Sequence, residues 1–201
     1  MRVGVLGGTF DPIHLGHLAA AEAAIACAEL ERVLIMPSAQ PPHRPGAIAT
    51  AEERLAMCRL AVEGRSRLEV SDVEVRHGGP SYTVDTVVEL KRLAPQDDLF
   101  LILGWDAAAL FSTWQRPEKV RSLAAVVVIG RPGTQAPGAD QLSAAGLDVE
   151  RTILCLRPTP DISGSALRRA IAAGETVSGK VPPAVERYIA SHGLYRDNRK
   201  S

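Results

Sequence analysis

His14 and His17 stand three residues apart in the string Gly7-Gly8-Thr9-Phe10-Asp11-Pro12-Ile13-His14-Leu15-Gly16-His17. The string follows a short apolar run, Val3–Leu6, and enters a segment of helical periodicity, Leu15–Glu29. At that spacing both imidazoles project from one face of the helix start. There they can donate hydrogen bonds to phosphate oxygens and stabilise charge as it develops. Two glycines before them permit close backbone approach, and a helix N-terminus supplies unpaired N–H groups with a positive dipole end. The combination reads as a phosphate-binding turn. It is neither a GxGxxG dinucleotide fingerprint nor a Walker A loop, because the glycine spacing and the Gly-Lys-Ser/Thr ending are absent. No third ligand cluster accompanies the histidines, so no metal site is expected.

A second string, Ile162-Ser163-Gly164-Ser165-Ala166-Leu167-Arg168-Arg169, opens a late helix. Ser163 is a natural N-cap, and Ser165 with the free amides could receive anionic oxygens. Arg168, one turn further on, could set a permanent cation over a polyphosphate. Alone, the string describes any capped amphipathic helix; beside the first, it suggests a shared anionic ligand.

The elements that must position these residues alternate. Apolar, largely β-branched runs recur at Val3–Leu6, Val33–Met36, Leu68–Val75, Leu99–Leu103, Ala125–Ile129 and Ile153–Leu156. Helical segments intervene at Leu15–Glu29, Ala51–Val62, Val84–Leu93 and Glu118–Leu123, and helices at Ser163–Ala173 and Pro183–Ser191 close the chain. This pattern predicts an α/β fold: a Rossmann-like, doubly wound, mainly parallel sheet covered on both faces. One domain is expected over residues 1–201, with a core at 1–156 and a helical segment at 157–201. Two Pro-rich loops, residues 37–46 and 131–138, are long enough to be functional.

With 23 basic and 23 acidic residues in 201, the formal net charge is zero. That excludes a protein whose main work is coating nucleic acid or an acidic membrane, while permitting a local basic pocket. Cys27, Cys58 and Cys155 are few, odd in number and set among apolar neighbours, which predicts buried free thiols in a reducing compartment. No run is long enough to span a bilayer, and Arg2–Leu6 reads as a strand rather than a leader. A cytoplasmic protein is expected.

The His14-Leu15-Gly16-His17 signature with its Gly-Gly-Thr-Phe-Asp-Pro prefix, together with Ile162–Arg168, resembles the nucleotidyltransferases with a Rossmann-like fold and an HxGH signature. More narrowly, the chain is similar to the bacterial nicotinate-nucleotide adenylyltransferases, nearly end to end. The likeness includes Pro41-Pro42-His43-Arg44, Ser81-Tyr82-Thr83, Leu103-Gly104-Trp105-Asp106, Phe111-Ser112-Thr113-Trp114, Arg131-Pro132-Gly133, Val181-Pro182 and Gly193-Leu194-Tyr195. Pantetheine-phosphate adenylyltransferases share the first and last signatures, but are usually shorter and lack the Ser-Tyr-Thr and Thr-Trp segments.

The resemblance implies transfer of the adenylyl group of ATP to nicotinate mononucleotide, giving deamido-NAD and pyrophosphate, with Mg2+ on the triphosphate. The attacking phosphate is already ionised, so positioning and charge stabilisation carry the catalysis. By the same resemblance, Gly8, Thr9 and Phe10 contact phosphate and ribose, and His14 and His17 hold the ATP phosphates, His17 at the transition state. His43 and Arg44 approach the phosphates from their loop. Gly104 and Asp106 contact adenosine, Ser163 and Arg168 close over ATP from the C-terminal segment, and Tyr82, Thr83 and Trp114 receive the nicotinate nucleotide.

Three positions depart from the family. Gly164 replaces a Ser or Ala, Ser165 replaces a Thr, and Gln115 stands where Tyr is common after Trp114. The alternatives are an adenylyltransferase for another phosphate acceptor, such as phosphopantetheine, and a non-catalytic nucleotide sensor. Class I aminoacyl-tRNA synthetases carry an HxGH-like signature, but the length and the missing Lys-Met-Ser-Lys-Ser-like loop count against them.

Overall fold

The computed structural model describes residues 1–40, 47–130 and 136–196. Among them, six strands form one sheet in the order β3-β2-β1-β4-β5-β6, every neighbouring pair parallel. The strands are β1 Arg2–Gly8, β2 Arg32–Pro37, β3 Leu68–Val70, β4 Asp98–Gly104, β5 Ala124–Ile129 and β6 Thr152–Cys155. The helices are α1 Leu15–Cys27, α2 Ala51–Val62, α3 Val73–His77, α4 Thr83–Leu93, α5 Trp105–Ala108, α6 Pro117–Leu123, α7 Ala139–Ala144, α8 Gly164–Ala172 and α9 Pro183–Ser191, with a 3-10 turn at Phe111–Thr113. This is the doubly wound arrangement expected from the alternation.

Side chains alternate across each strand, so the inner strands feed two cores. Phe100, Ile102, Val127 and Ile129 join a core with α1, α2, α8 and α9, while Leu99, Leu101, Val126 and Val128 join a second with α4, α6 and α7. The C-terminal segment is integral to the first core, to which it contributes Leu167, Val185, Ile189 and Tyr195.

Two expectations are corrected. The apolar run Leu68–Val75 is a strand only to Val70, and residues 73–77 turn into α3. The edge strand has a single neighbour, and Gly78, at φ 68°, ends the helix in a conformation suited to glycine. The three cysteines are not all free: Cys27 and Cys155 form a disulfide, their Cα atoms 5.7 Å apart, and only Cys58 is a buried thiol. The cause is topological, since α1 crosses the sheet towards β6 and brings together residues 128 positions apart in the chain.

Candidate active site

β1 and β4 are the neighbours at which the strand order reverses, and they part before their ends. They pair from Arg2↔Asp98 to Val5↔Leu101. Beyond that, β1 continues with β2 to Gly8↔Pro37, and β4 continues with β5 to Gly104↔Ile129. A crevice at the carboxyl ends of strands, at such a switch point, is where open α/β sheets bind ligands. A side chain on Gly7 or Gly104 would meet nothing within 4 Å, so the crevice edges present bare backbone.

The turn from β1 into α1 is held under constraint. Phe10 has φ 50°, a left-handed conformation that an aromatic residue adopts at a cost of about 1–2 kcal/mol. Both flanks are clamped. The carbonyl of Thr9 accepts from Arg54 Nη1 at 2.8 Å, and the Asp11 carboxylate accepts from the backbone N–H groups of Ile48 and Ala49. The Phe10 ring is buried and meets His17 edge-on at 4.9 Å. Any ligand contact by Phe10 would therefore come from its backbone.

His14 is the N-cap of α1, and its N–H donates to Nδ1 of His17 at 3.3 Å. A neutral His17 consequently carries its proton on Nε2. The two rings stack, centroids 3.6 Å apart. Their environments differ: His14 is only 5% exposed, its Nδ1 buried without a partner, and burial lowers its pKa from 6.5 to about 4. His17 is half-buried. Gly16 is required by close approach, because a Cβ there would lie 3.0 Å from His14 Nδ1 and 3.1 Å from the Pro160 carbonyl oxygen.

The second string arrives at the same place. Ser163 is the N-cap of α8 and accepts from the Ala166 N–H at 3.3 Å. From the second turn of α8, Arg168 Nη1 donates to the Asp11 carbonyl at 2.7 Å and lies 3.8 Å from Asp11 Oδ2. Gly164, a departure from the family pattern, has a packing explanation: a Cβ there would sit 3.3 Å from the Asp11 carbonyl oxygen. His14, His17, Ser163 and Arg168 are thus gathered around one turn, beside Gly8 and Thr9. Gly104 and the exposed Asp106 stand at the end of β4 across the crevice. His43 and Arg44 lie outside the described residues.

Tyr82, Thr83 and Trp114 belong to the other face. Tyr82 is the N-cap of α4 and Thr83 its first residue. Trp114 follows the 3-10 turn, half-buried, its ring 5.1 Å from that of the buried Phe111. Tyr82, Trp105 and Trp114 all pack on the rim of the second core. An ion pair between Arg116 and Asp85, 2.8 Å, joins the segment after Trp114 to α4. The Ser81 N–H donates to the Gln40 carbonyl and its Oγ accepts from the Ala39 N–H, which ties this region to the end of β2.

Four residues that the sequence reading left without a role support this geometry. Arg54, 1% exposed, donates to the carbonyls of Thr9, Ala39 and Ala49 and so joins three segments under the crevice. Its signal was present: Arg54, Met57, Cys58 and Ala61 follow i, i+3, i+4, i+7 spacing, which places a cation in an apolar stripe. Asp11 accepts the Tyr195 hydroxyl at 2.7 Å, a contact across 184 residues. Glu74 accepts from Thr86 Oγ1 at 2.6 Å behind the Tyr82–Thr83 segment, and burial pushes its carboxyl above the ordinary range. Asp11 and Tyr195 lie inside matched strings that give them no role, and no sequence signal marks Glu74.

The fold and the turn define an α/β protein whose glycine-rich β1–α1 turn opens at the switch point of a doubly wound sheet. The cytidylyltransferase-like family model matches residues 5–170. A protein of Thermus thermophilus named "Probable nicotinate-nucleotide adenylyltransferase" is 45% identical over 196 residues, covering 98% of this chain and 100% of its own. A protein of the same name from Pseudomonas syringae is 41% identical over 208 residues, covering 97% and 94%. Among solved structures, the nicotinic acid mononucleotide adenylyltransferase of Plasmodium falciparum complexed with NaAD has a TM-score of 0.78 at 18% identity, covering 96% of this chain and 97% of that one. A putative nicotinate-nucleotide adenylyltransferase of Vibrio parahaemolyticus has a TM-score of 0.69 at 18% identity, covering 98% and 97%; both support the fold. The chain belongs to the cytidylyltransferase-like family and, within it, to the nicotinate-nucleotide adenylyltransferases.

Proposed function

We propose that the chain transfers the adenylyl group of ATP to nicotinate mononucleotide, releasing pyrophosphate and deamido-NAD, from a site built of the residues above. The observation that carries the reading is the convergence of two strings some 150 residues apart, where Arg168 Nη1 meets the Asp11 carbonyl at 2.7 Å beside the His14–His17 pair. The ATP triphosphate would lie over the Gly7–Thr9 backbone, within reach of His17 and Arg168, with adenosine toward Gly104 and Asp106. Ser163 supports this arrangement as the cap that starts α8. Tyr82, Thr83 and Trp114 would hold the nicotinate nucleotide from the opposite wall, and His43 and Arg44 would approach the phosphates.

In the reaction an oxygen of the nucleotide's phosphate forms a bond to the α-phosphorus. The bond from that phosphorus to the bridging oxygen breaks, and pyrophosphate leaves with the electron pair. No proton needs removing from the nucleophile. His17, through Nε2–H, and the Arg168 guanidinium would bear the charge that builds on the phosphoryl oxygens. His14, neutral at pH 7, acts as a stacked support for His17 and adds no charge of its own.

Magnesium would enter with ATP as part of the substrate. Magnesium commonly keeps several waters and takes one or two carboxylates beside substrate phosphates. The proposed fold unit is a single domain whose segment 157–201 completes the ATP site, and the consumption of ATP points to the cytoplasm.

Pyrophosphate release from ATP, compared with nicotinate mononucleotide, nicotinamide mononucleotide and phosphopantetheine as acceptors, tests the assignment. Turnover is expected with the first. Turnover with phosphopantetheine alone would overturn the acceptor, and none with any acceptor would leave a nucleotide sensor.

A further inference from the structure

The Asp11 carboxylate is buried, 7% exposed, in a site proposed to bind a polyanion. A carboxylate so placed would repel phosphate if it faced the ligand. Its oxygens are committed elsewhere: Oδ1 accepts from the Tyr195 hydroxyl at 2.7 Å and the Ala49 N–H at 3.1 Å, and Oδ2 accepts from the Ile48 N–H at 2.9 Å. Oδ2 also lies 3.8 Å from Arg168 Nη1, which is itself bonded to the Asp11 carbonyl. One residue therefore holds the Arg168 guanidinium through both its backbone and its side chain. Tyr195 is buried and stands at φ 64° in the turn after α9, so its hydroxyl is delivered by a fixed piece of backbone. A fixed donor on Oδ1 sets the plane of the carboxylate, and that plane sets the edge of Oδ2 facing Arg168. Burial and the bond to Asp11 hold the Tyr195 hydroxyl protonated as a donor, its pKa pushed well up.

We propose that Asp11 and Tyr195 are positioning residues for adenylyl transfer: they act through Arg168, and the C-terminal turn is thereby part of the catalytic apparatus. The proposal rests on the reaction proposed above. Neither residue touches the substrates. What they supply is a guanidinium held before ATP arrives, so that no ordering of a long side chain is needed as charge develops.

The test is a double-mutant cycle on the full chain, with Tyr195→Phe, Arg168→Ala and both together. Tyr195→Phe keeps the buried ring and removes one hydroxyl. It is expected to lower kcat about tenfold, the scale of one charge-linked hydrogen bond, with the KM for nicotinate mononucleotide within about twofold. In the Arg168→Ala background the same substitution should change kcat by less than about twofold, because the residue it acts through is gone. A second full tenfold loss there would make Tyr195 a structural staple and overturn the proposal, as would wild-type kcat in Tyr195→Phe. Asp11→Asn extends the cycle and should be at least as severe; circular dichroism establishes whether it folds, and the Tyr195 arm decides the question if it does not. If the wild-type chain fails to release pyrophosphate with nicotinate mononucleotide, the assigned reaction has failed rather than this inference. ATP titration of the same four proteins by calorimetry then decides it. Loss in Tyr195→Phe but not on the Arg168→Ala background supports it, and equal loss in both overturns it.

Discussion

The two walls of the crevice are built differently. The phosphate wall, formed by the β1–α1 turn and α8, is locked by buried polar groups: Arg54 holds three carbonyls, and Asp11 gathers donors from residues 48, 49, 168 and 195. The acceptor wall, formed by the start of α4 and the segment 111–117, is held by apolar packing of Phe111, Tyr82 and Trp114 and by an exposed Arg116–Asp85 pair. An exposed pair of that kind contributes about 0–1 kcal/mol. The difference follows from the ligands each wall would meet. Charge developing on phosphoryl oxygens is stabilised best by groups already fixed in place, whereas a flat aromatic ring asks only for a surface to stack on.

The largest effect that can break this comparison is at His17. His17→Ala should lower kcat by about a thousandfold, since it removes a donor at the reacting phosphate, while circular dichroism and melting remain close to wild type. Near-normal turnover would remove His17 from the chemistry and leave the phosphate wall as packing alone.

His14 sharpens the comparison through pH. Burial lowers its folded pKa to about 4, against 6.5 when exposed. The unfolded chain therefore takes up the proton first. The stability that His14 lends is fully present above about pH 6.5, declines as pH falls, and is gone below about pH 4. A shift of this size corresponds to roughly 3 kcal/mol. Urea midpoints measured from pH 7 to pH 4 should fall more steeply in the wild type than in His14→Gln. Equal slopes would mean that the imidazole is not held neutral by burial. The acceptor wall has no buried histidine among its described residues, so a slope abolished by this one substitution assigns the effect to the phosphate wall.

How far the sequence foretold these walls depends on the range of the contacts. The β1–turn–α1 unit and the start of α8 were legible, because glycines, a cap and helical spacing are local signals. The doubly wound, mainly parallel sheet was legible from alternation. The lock itself was not. Arg168 reaches Asp11 across 157 residues and Tyr195 reaches it across 184, and no periodicity encodes such pairs. Cys27 and Cys155 failed for the same reason, each looking locally like a buried thiol. Arg54 was half legible, a cation in an apolar stripe whose partners lie in two other loops. On the acceptor wall, the resemblance implied a binding role for Trp114, and its half-buried ring beside Phe111 adds a packing one.

That dual character sets the smallest effect. Trp114→Ala removes a stacking surface and some packing on the rim of the second core, but touches none of the Asp11 or Arg54 contacts. A stacked ring contributes about 0.5–1.5 kcal/mol beyond the area it buries. The KM for nicotinate mononucleotide should therefore rise about tenfold, with the KM for ATP changed less than about twofold and a modest loss of stability. Trp114→Phe should recover most of the acceptor affinity, because a smaller ring still stacks. If both substrates weakened equally, and in step with stability, the segment 111–117 would be serving the phosphate wall through the core. The two walls would then be one mechanical unit, and the division drawn between a locked side and a packed side would fall.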